Sequence, residues 1–183
     1  MEKNIASALL HPKCVAYGEI GLDYHYDLSD RVVQRDVLIR QIEIGIAAKK
    51  PLIIHTREAE EDTLSVLRDC VPDDWPMHVH CFTSSGGMAE SLLASFSNLY
   101  IGFTGIVTFK NSNDVRAVAK LVPLERMLVE TDGPYLAPEP YRGQPAHPGH
   151  IPRIIEKLAE IKEKPLDEVA AVLLKNSKTL YGI

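Results

Sequence analysis

The chain has 183 residues, of which 45% are hydrophobic and 25% charged, a composition typical of a globular protein. Its formal net charge of −5 argues against a basic face that binds nucleic acid non-specifically, although a metal ion and a few arginines can still hold phosphates. No apolar run approaches the ~18 residues of a membrane-spanning helix, which argues against a membrane protein.

Short apolar runs alternate with longer amphipathic stretches along the chain. The predicted strands cover residues 15–22, 51–55, 77–82, 99–103 and 126–131. The predicted helices cover residues 30–49, 58–70, 88–95, 113–121, 153–162 and 167–180, and residues 1–14 are expected to contain the end of another helix. This alternation is typical of a parallel sheet with helical crossovers, and no linker or repeat divides residues 1–183, so we predict a single α/β domain.

Two of the predicted helices have candidate N-caps. The 30–49 helix is expected to be capped by Ser29 or Asp30, and the 113–121 helix by Asn113 or Asp114. The apolar residues at helical spacing in the first of these helices are Val33, Val37, Leu38, Ile42 and Ile46.

Metal-ligating residue types stand where the predicted strands end. In chain order they are Glu19 and Asp23, His55, His80, and Glu130 and Asp132. Parallel α/β barrels carry their chemistry at the carboxyl ends of the strands, so these side chains are expected around one rim. Imidazole with carboxylate suits Zn, Mn or Fe, and additional oxygen ligands suit Mg. A pair of such ions can polarise a phosphoryl oxygen.

A different interpretation of each residue stays open at this point. A histidine at a strand end is more often a hydrogen-bonded polar residue than a ligand, and a carboxylate there is often a helix cap. The joint occurrence of these residues at successive strand ends favours a metal site.

The motifs around these residues resemble those of the TatD deoxyribonuclease family. They are GEIGLDY at residues 18–24, PLIIHTRE at 51–58, HCFT at 80–83, YIGFTG at 100–105 and ETDGPYLAP at 130–138. The matches keep the family's order and spacing over almost the whole chain, and correspond to its strands four to eight. Ser84 stands where relatives usually have glycine, a change that we expect to be tolerated.

The resemblance implies a (β/α)8 TIM barrel of the amidohydrolase-like group and hydrolysis of phosphodiester bonds in DNA. It implies that Glu19, His55, His80 and Asp132 are ligands of divalent ions (Mg, Mn or Zn, up to two), with Glu19 bridging them and His55 and His80 on one of them. Glu19 and Asp132 would be the catalytic pair, with Asp132 as base or proton shuttle for the attacking water.

Two arginines are candidates for phosphate contacts. Arg57 follows His55 closely, and its planar guanidinium suits a bidentate contact, but a helix-start ion pair with Glu58 or another acid is the alternative. Arg142 lies in the loop after the last strand, where relatives carry a similar Arg-Gly pair, and a solvated loop arginine is the alternative.

Three further histidines are not expected to bind metal. His147 and His150 lie in the same loop, where a surface or substrate-contact role is expected. His78 precedes His80 by two residues and points to the same side of its strand, one layer deeper, so we expect a buried, hydrogen-bonded side chain.

The family's first strand carries a His-x-His pair, and no such strand precedes Glu19. We therefore expect about the last five βα units of a barrel that cannot close, with little activity from the 183 residues alone. Its unpaired strand edges favour self-association. The alternatives are a catalytically impaired barrel that acts as an interaction protein, and an amidohydrolase of other specificity. Such enzymes often carry a metal-bridging lysine where this chain has Glu19.

The cysteines are Cys14, Cys70 and Cys81, an odd number without a C-x-x-C pair. This pattern argues against a disulfide framework and favours a reducing compartment. Together with an N-terminus that does not resemble a signal peptide, it predicts a cytoplasmic protein without membrane association.

Overall fold

The computed structural model describes residues 2–26 and 28–183 and follows the predicted alternation of strands and helices. The strands are β1 (Tyr17–Asp23), β2 (Leu52–Arg57), β3 (Met77–Val79), β4 (Leu99–Phe103) and β5 (Met127–Val129). The α-helices are α1 (Glu2–Leu9), α2 (Arg31–Ala47), α3 (Glu60–Cys70), α4 (Gly86–Ser95), α5 (Asn113–Leu121), α6 (Ile151–Lys162) and α7 (Leu166–Tyr181).

The strands form one sheet in the order β1-β2-β3-β4-β5, and every neighbouring pair is parallel. This confirms the predicted α/β class with helical crossovers. Within the described residues, β1 is paired with β2 alone and β5 with β4 alone. Both outer strands therefore leave one edge without a partner strand.

The register brings the carboxyl ends of the strands together. Gly21 is paired with His55 and Ile54 with Val79. The strands β3 and β5 are shorter than predicted, but backbone pairing continues beyond them: the His80 N–H donates to the Ile54 carbonyl at 3.0 Å, and the Glu130 N–H to that of Phe103 at 3.1 Å. His80 and Glu130 are thus held by the sheet although they lie past its regular part.

The start of α2 is as predicted, but part of its apolar face is not buried. Asp30 is the N-cap, and its carboxylate accepts the Val32 N–H at 2.8 Å. Leu38 and Ile42 are fully buried, whereas Val33 and Val37 remain about half exposed, at 50% and 49%. The helix packs against β1 and α3, and the apolar stripe is wider than the surface that these elements cover.

Two other helix boundaries differ from the prediction. The cap of α5 is Ser112, and Asn113 instead accepts a hydrogen bond from Arg116 at 2.5 Å. Helix α6 begins at Ile151 with Pro152 in its first turn, where a missing N–H costs nothing.

The hydrophobic core consists of two clusters. The larger cluster is formed by residues of both strands and helices, and the second is small. The second cluster contains Tyr100, Leu128 and Leu180, with the partly buried Tyr181 packed against it. It brings the C-terminal turn of α7 against β4 and β5. None of the helices in the described parts of the chain is long and apolar enough to cross a membrane.

Candidate metal centre

Glu19 within β1, His55 within β2 and His80 directly after β3 come together across three neighbouring strands. The prediction that His55 ends its strand is wrong, because β2 continues to Arg57. One oxygen of Glu19 lies 3.2 Å from Nδ1 of His55, and the other lies 3.3 Å from Nε2 of His80. The same two nitrogens are 3.0 Å apart. The close approach of β1 to β2 depends on Gly21, since a Cβ there would collide with the backbone carbonyl of His55.

This donor set fits a divalent ion. The three ligand atoms lie within 4.8 Å of one another, and the contacts between them measure 3.0–3.3 Å. A tetrahedral zinc ion with bonds of about 2.0–2.1 Å keeps its ligands roughly 3.3–3.4 Å apart. Two imidazoles and one carboxylate leave further positions open, as in catalytic sites. The geometry therefore suits a metal ion between Glu19, His55 and His80.

Asp132, the fourth predicted ligand, lies near this group without belonging to it. Its backbone has a left-handed φ of 52°, and the residue is half-buried. Burial raises the pKa of Asp132, the positive charge of His80 opposes the rise, and Glu19 adds to it. The effects of His80 and Glu19 on this pKa indicate that the Asp132 carboxylate lies near both residues. Its oxygens nevertheless do not belong to the group formed by the ligand atoms of Glu19, His55 and His80. Its role as ligand and base stays a prediction.

Glu130 holds the imidazole of His80 from the side opposite Glu19. One of its oxygens lies 3.7 Å from Nδ1 of His80, and the other lies 3.4 Å from Nε2 of His78 and accepts the Cys81 N–H at 2.6 Å. Burial alone would raise the pKa of Glu130, but the interactions with His78 and His80 outweigh it and hold this pKa well below its ordinary value. Glu130 is therefore an anionic partner of the candidate ligand His80.

Burial and nearby carboxylates also shift the pKa values of His80 and Cys81. Burial lowers the pKa of His80, but the neighbouring carboxylates, with Glu130 first among them, more than compensate, so the net shift is upward. Burial raises the pKa of the Cys81 thiol to about 12, with help from Asp132. Without a bound ion, Cys81 is thus a neutral thiol near pH 7.

Asp23 supports His55 in a similar way. Its Oδ2 lies 3.5 Å from Nε2 of His55, and its Oδ1 accepts the N–H of His25 at 2.9 Å. The sequence singled out Asp23 and Glu130 as strand-end carboxylates but assigned no role to either of them. The available signal for Glu130 was its position two residues before Asp132, a predicted ligand.

Arg57 lies on the rim beside the candidate ligands. Its guanidinium stands 4.9 Å from the centre of the Tyr26 ring, and Tyr26 is 61% exposed. Glu58 contacts His25 at 2.6 Å. No ion pair of Arg57 with an acid is found among residues 2–26 and 28–183, so the alternative of a helix-start ion pair with Glu58 is wrong.

Arg142 and the loop histidines do not reach the group of three ligands. The Arg142 guanidinium lies 3.7 Å from the centre of the Phe109 ring, and its side chain is exposed. His147 is exposed and accepts the Gly149 N–H, in line with a surface position. His150 is buried, at 5% exposure, and stacks on Tyr141 with ring centres 4.6 Å apart. The expected surface position of His150 is therefore wrong, since the loop folds back on itself.

His78 is buried as predicted, with 4% of its surface exposed. Its Nδ1 lies 2.8 Å from the hydroxyl of Tyr181 at the end of α7. The hydrogen-bonded interpretation is confirmed, and the partner comes from 103 residues away in the chain.

A parallel α/β sheet that brings two histidines and a glutamate together is a feature of the class of metal-dependent hydrolases. The family model described as TatD related DNase matches residues 1–182. The chain therefore belongs to the TatD family.

Individual relatives agree with this assignment. The human "3'-5' RNA nuclease TATDN2" is 41% identical over 100% of the chain, which spans 24% of that protein. The Escherichia coli protein YcfH, named an uncharacterized metal-dependent hydrolase, is 43% identical over 92% of the chain and 63% of its own length. The crystal structure of YJJV, a TatD homologue from Escherichia coli, superposes with a TM-score of 0.91 at 30% identity, covering 100% of this chain and 70% of that one. The chain thus spans from a quarter to about two thirds of the length of these relatives.

Proposed function

We propose that this chain carries the metal centre of a divalent-metal-dependent hydrolase that cleaves phosphodiester bonds in nucleic acid, with DNA as the substrate expected from the sequence. The observation that carries the proposal is the convergence of Glu19, His55 and His80, whose ligand atoms lie within 4.8 Å of one another. We further propose that residues 1–183 form a single domain corresponding to about the last five βα units of the family's barrel.

The roles of the residues follow from their positions. A bound divalent cation supplies Lewis acidity toward the phosphate and makes water a better nucleophile near neutral pH. Glu19, His55 and His80 would hold that ion, and Mg, Mn and Zn are the candidates. Asp132 would accept a proton from the attacking water, since its carboxylate lies within electrostatic range of His80 and Glu19.

Arg57 would bind a phosphate of the same substrate. The guanidinium stands on an exposed tyrosine ring and is free of acidic partners in the described residues, so its donors can reach an incoming anion. The neighbouring ring of Tyr26 offers a face on which a nucleobase can stack. Arg142 is a second candidate for a phosphate contact, because its exposed side chain is accessible to a substrate.

RNA is the second candidate substrate. It is favoured by the human relative that is 41% identical to this chain and is named a 3'-5' RNA nuclease. The metal-dependent chemistry proposed for Glu19, His55 and His80 is the same for both nucleic acids, so the two differ only in how the strand is recognised.

The test is a cleavage assay with end-labelled DNA and RNA oligonucleotides in the presence of Mg, Mn or Zn. It uses the 183-residue chain and, in parallel, the chain joined to any coding sequence found directly upstream. We expect His55→Ala, His80→Ala and Glu19→Ala each to lower the rate more than about 100-fold. Mutation of a residue that merely contacts a metal ligand already costs about 10–100-fold in metal affinity or activity, and loss of a ligand itself should cost more. Asp132→Ala should do the same.

His11→Ala is the control, because His11 is exposed in the turn after α1. It should leave the rate unchanged. Cleavage that survives the loss of His55 or His80, or that persists in excess chelator, would overturn the proposed function. The relative rates on DNA and RNA decide between the two substrates.

A further inference from the structure

A line of polar side chains runs from the C-terminal end of α7 to the candidate metal ligand His80. The Tyr181 hydroxyl lies 2.8 Å from Nδ1 of His78. Nε2 of His78 faces one oxygen of Glu130 at 3.4 Å, and Nδ1 of His80 faces the other at 3.7 Å. On its far side, Nε2 of His80 faces Glu19 at 3.3 Å.

The sheet has room for this line of side chains between β2 and β4. His78 lies between Ile53 of β2 and Tyr100 of β4, and Gly102 on β4 leaves the space that the pair of His78 and Glu130 fills. A side chain at position 102 would collide with both of them. His78 and His80 are 4% and 7% exposed, so their polar atoms depend on protein partners more than on water.

The chemistry of the partners dictates where the protons lie. A carboxylate can only accept hydrogen bonds. Nε2 of His78 faces the Glu130 carboxylate at 3.4 Å, and although this contact lacks hydrogen-bond geometry, the negative charge favours a proton on that nitrogen. Nε2 of His78 is then protonated, its Nδ1 accepts, and the Tyr181 hydroxyl donates to it. Both nitrogens of His80 face a carboxylate, Nδ1 that of Glu130 at 3.7 Å and Nε2 that of Glu19 at 3.3 Å. When Nε2 binds the proposed ion it must offer a lone pair, so the proton then lies on Nδ1, toward Glu130.

We propose that Tyr181 and His78 are positioning residues of the metal centre. Tyr181 selects one tautomer of His78, His78 and the Cys81 N–H hold Glu130 in place, and Glu130 presents Nε2 of His80 to the ion. The inference rests on the proposed metal site but not on the nature of the substrate. It also gives the C-terminal turn of α7 a functional role.

Metal affinity provides the first test. Co²⁺ is titrated into the 183-residue chain and followed by its visible absorption, with Tyr181→Phe and Glu130→Gln as variants. Changing a partner of a ligand typically costs 10–100-fold in metal affinity. We expect Glu130→Gln to fall in that range and Tyr181→Phe to weaken binding about 10-fold, at its lower end. In the Glu130→Gln background, Tyr181→Phe should add nothing, because Tyr181 acts through Glu130.

Tyr100→Phe is the matched control. Tyr100 is buried in the same cluster as Tyr181, and no hydrogen bond of its hydroxyl to His78 is found in the described residues. It should bind Co²⁺ as wild type does. Thermal unfolding of each variant shows whether a loss of affinity merely follows a loss of stability.

The second readout needs no metal. Nitrogen-15 NMR of the histidine rings should show His78 protonated at Nε2, and Tyr181→Phe should convert the His78 signal to a mixture of tautomers. Unchanged tautomers together with wild-type Co²⁺ affinity in Tyr181→Phe, or an equal loss in Tyr100→Phe, would overturn the inference. If His55→Ala and His80→Ala also bind Co²⁺ as wild type does, the metal site itself is wrong, and the proposed function falls with it.

Discussion

Gly102 sits on β4 directly opposite the pair formed by His78 and Glu130. A Cβ at this position would come closer to both side chains than real Cβ atoms do, and neither is the flexible end of an exposed chain. We expect Gly102→Ala to lower the free energy of unfolding by about 1–3 kcal/mol, the usual cost of overpacking. Unfolding by urea, followed by circular dichroism, measures the change.

Gly87→Ala is the control for this prediction. Gly87 lies in the first turn of α4, where an added Cβ has only Ser85 Oγ nearby, at 3.9 Å. Alanine should be neutral there or stabilise by up to about 1 kcal/mol, because it has the higher helix propensity. Equal effects of the two substitutions would show that position 102 has room for a side chain.

Tyr24 makes the stability of the protein sensitive to alkaline pH. Burial raises the pKa of Tyr24 to about 12, and its hydrogen bond to Asp62, 2.6 Å long, contributes to the rise. An unfolded tyrosine has a pKa of about 10. Between about pH 10 and 12 the unfolded state loses this proton while the folded state keeps it, so stability falls as the pH rises.

The Tyr24→Phe variant should therefore lose stability less steeply than wild type across this interval, in unfolding curves measured at several pH values. The contribution is fully present below about pH 10 in wild type. Tyr135→Phe removes an exposed hydroxyl and is the control, expected to keep the wild-type slope. Parallel slopes for wild type and Tyr24→Phe would contradict the prediction.

At the scale of elements, α7 is tied to β5 through Asn176. This buried side chain donates to the carbonyls of Leu124 at 2.9 Å and Met127 at 2.8 Å. Asn176→Ala would leave both carbonyls without this donor, and we expect a loss of about 1–3 kcal/mol in chemical denaturation. Since α7 also carries Tyr181, the same change should weaken the contact between Tyr181 and His78.

Ser177→Ala is the matched control on the same helix. Its hydroxyl donates to the Leu173 carbonyl within the helix, so alanine removes no link between elements. Its effect should stay within about 0.5 kcal/mol. A similar loss for both variants would mean that Asn176 is not the link between α7 and β5.

At the scale of the whole molecule, the two outer strands have open edges in the described residues. Helix α2, which packs against β1, exposes Val33 and Val37 on one face, four residues apart. Open strand edges beside exposed apolar side chains favour pairing with another chain. We predict that the 183-residue chain self-associates with rising concentration in sedimentation velocity experiments.

The double variant Val33→Lys/Val37→Lys should weaken this association, because charge beside the edge opposes pairing. Leu121→Lys on α5 is the control, since Leu121 is exposed to a similar extent, 42%, on a helix that packs mainly against α4 and α6. A chain that stays monomeric at all concentrations, or equal effects of the two variants, would contradict the prediction.

Much of the fold could be predicted from local patterns. The five strands, the cap at Asp30 and the placement of Glu19, His55 and His80 on successive strands all depend on periodicity and on residues close in sequence. Alternating apolar strands and amphipathic helices have few ways to bury their apolar faces, so the parallel sheet follows from them. Strand β3 was predicted too long because apolar character continues past Val79, where the backbone turns at Cys81 with a φ of 43°.

The sequence by itself determined the class of fold and three residues that meet at one rim, because parallel strands bring their carboxyl ends together whatever their loops do. The tertiary structure alone decided the partners of those residues. Glu130 reaches His78 and His80, Tyr181 reaches His78 across 103 residues, His150 is buried, and Val33 is exposed. Such contacts depend on how distant elements pack, and no local periodicity carries that information.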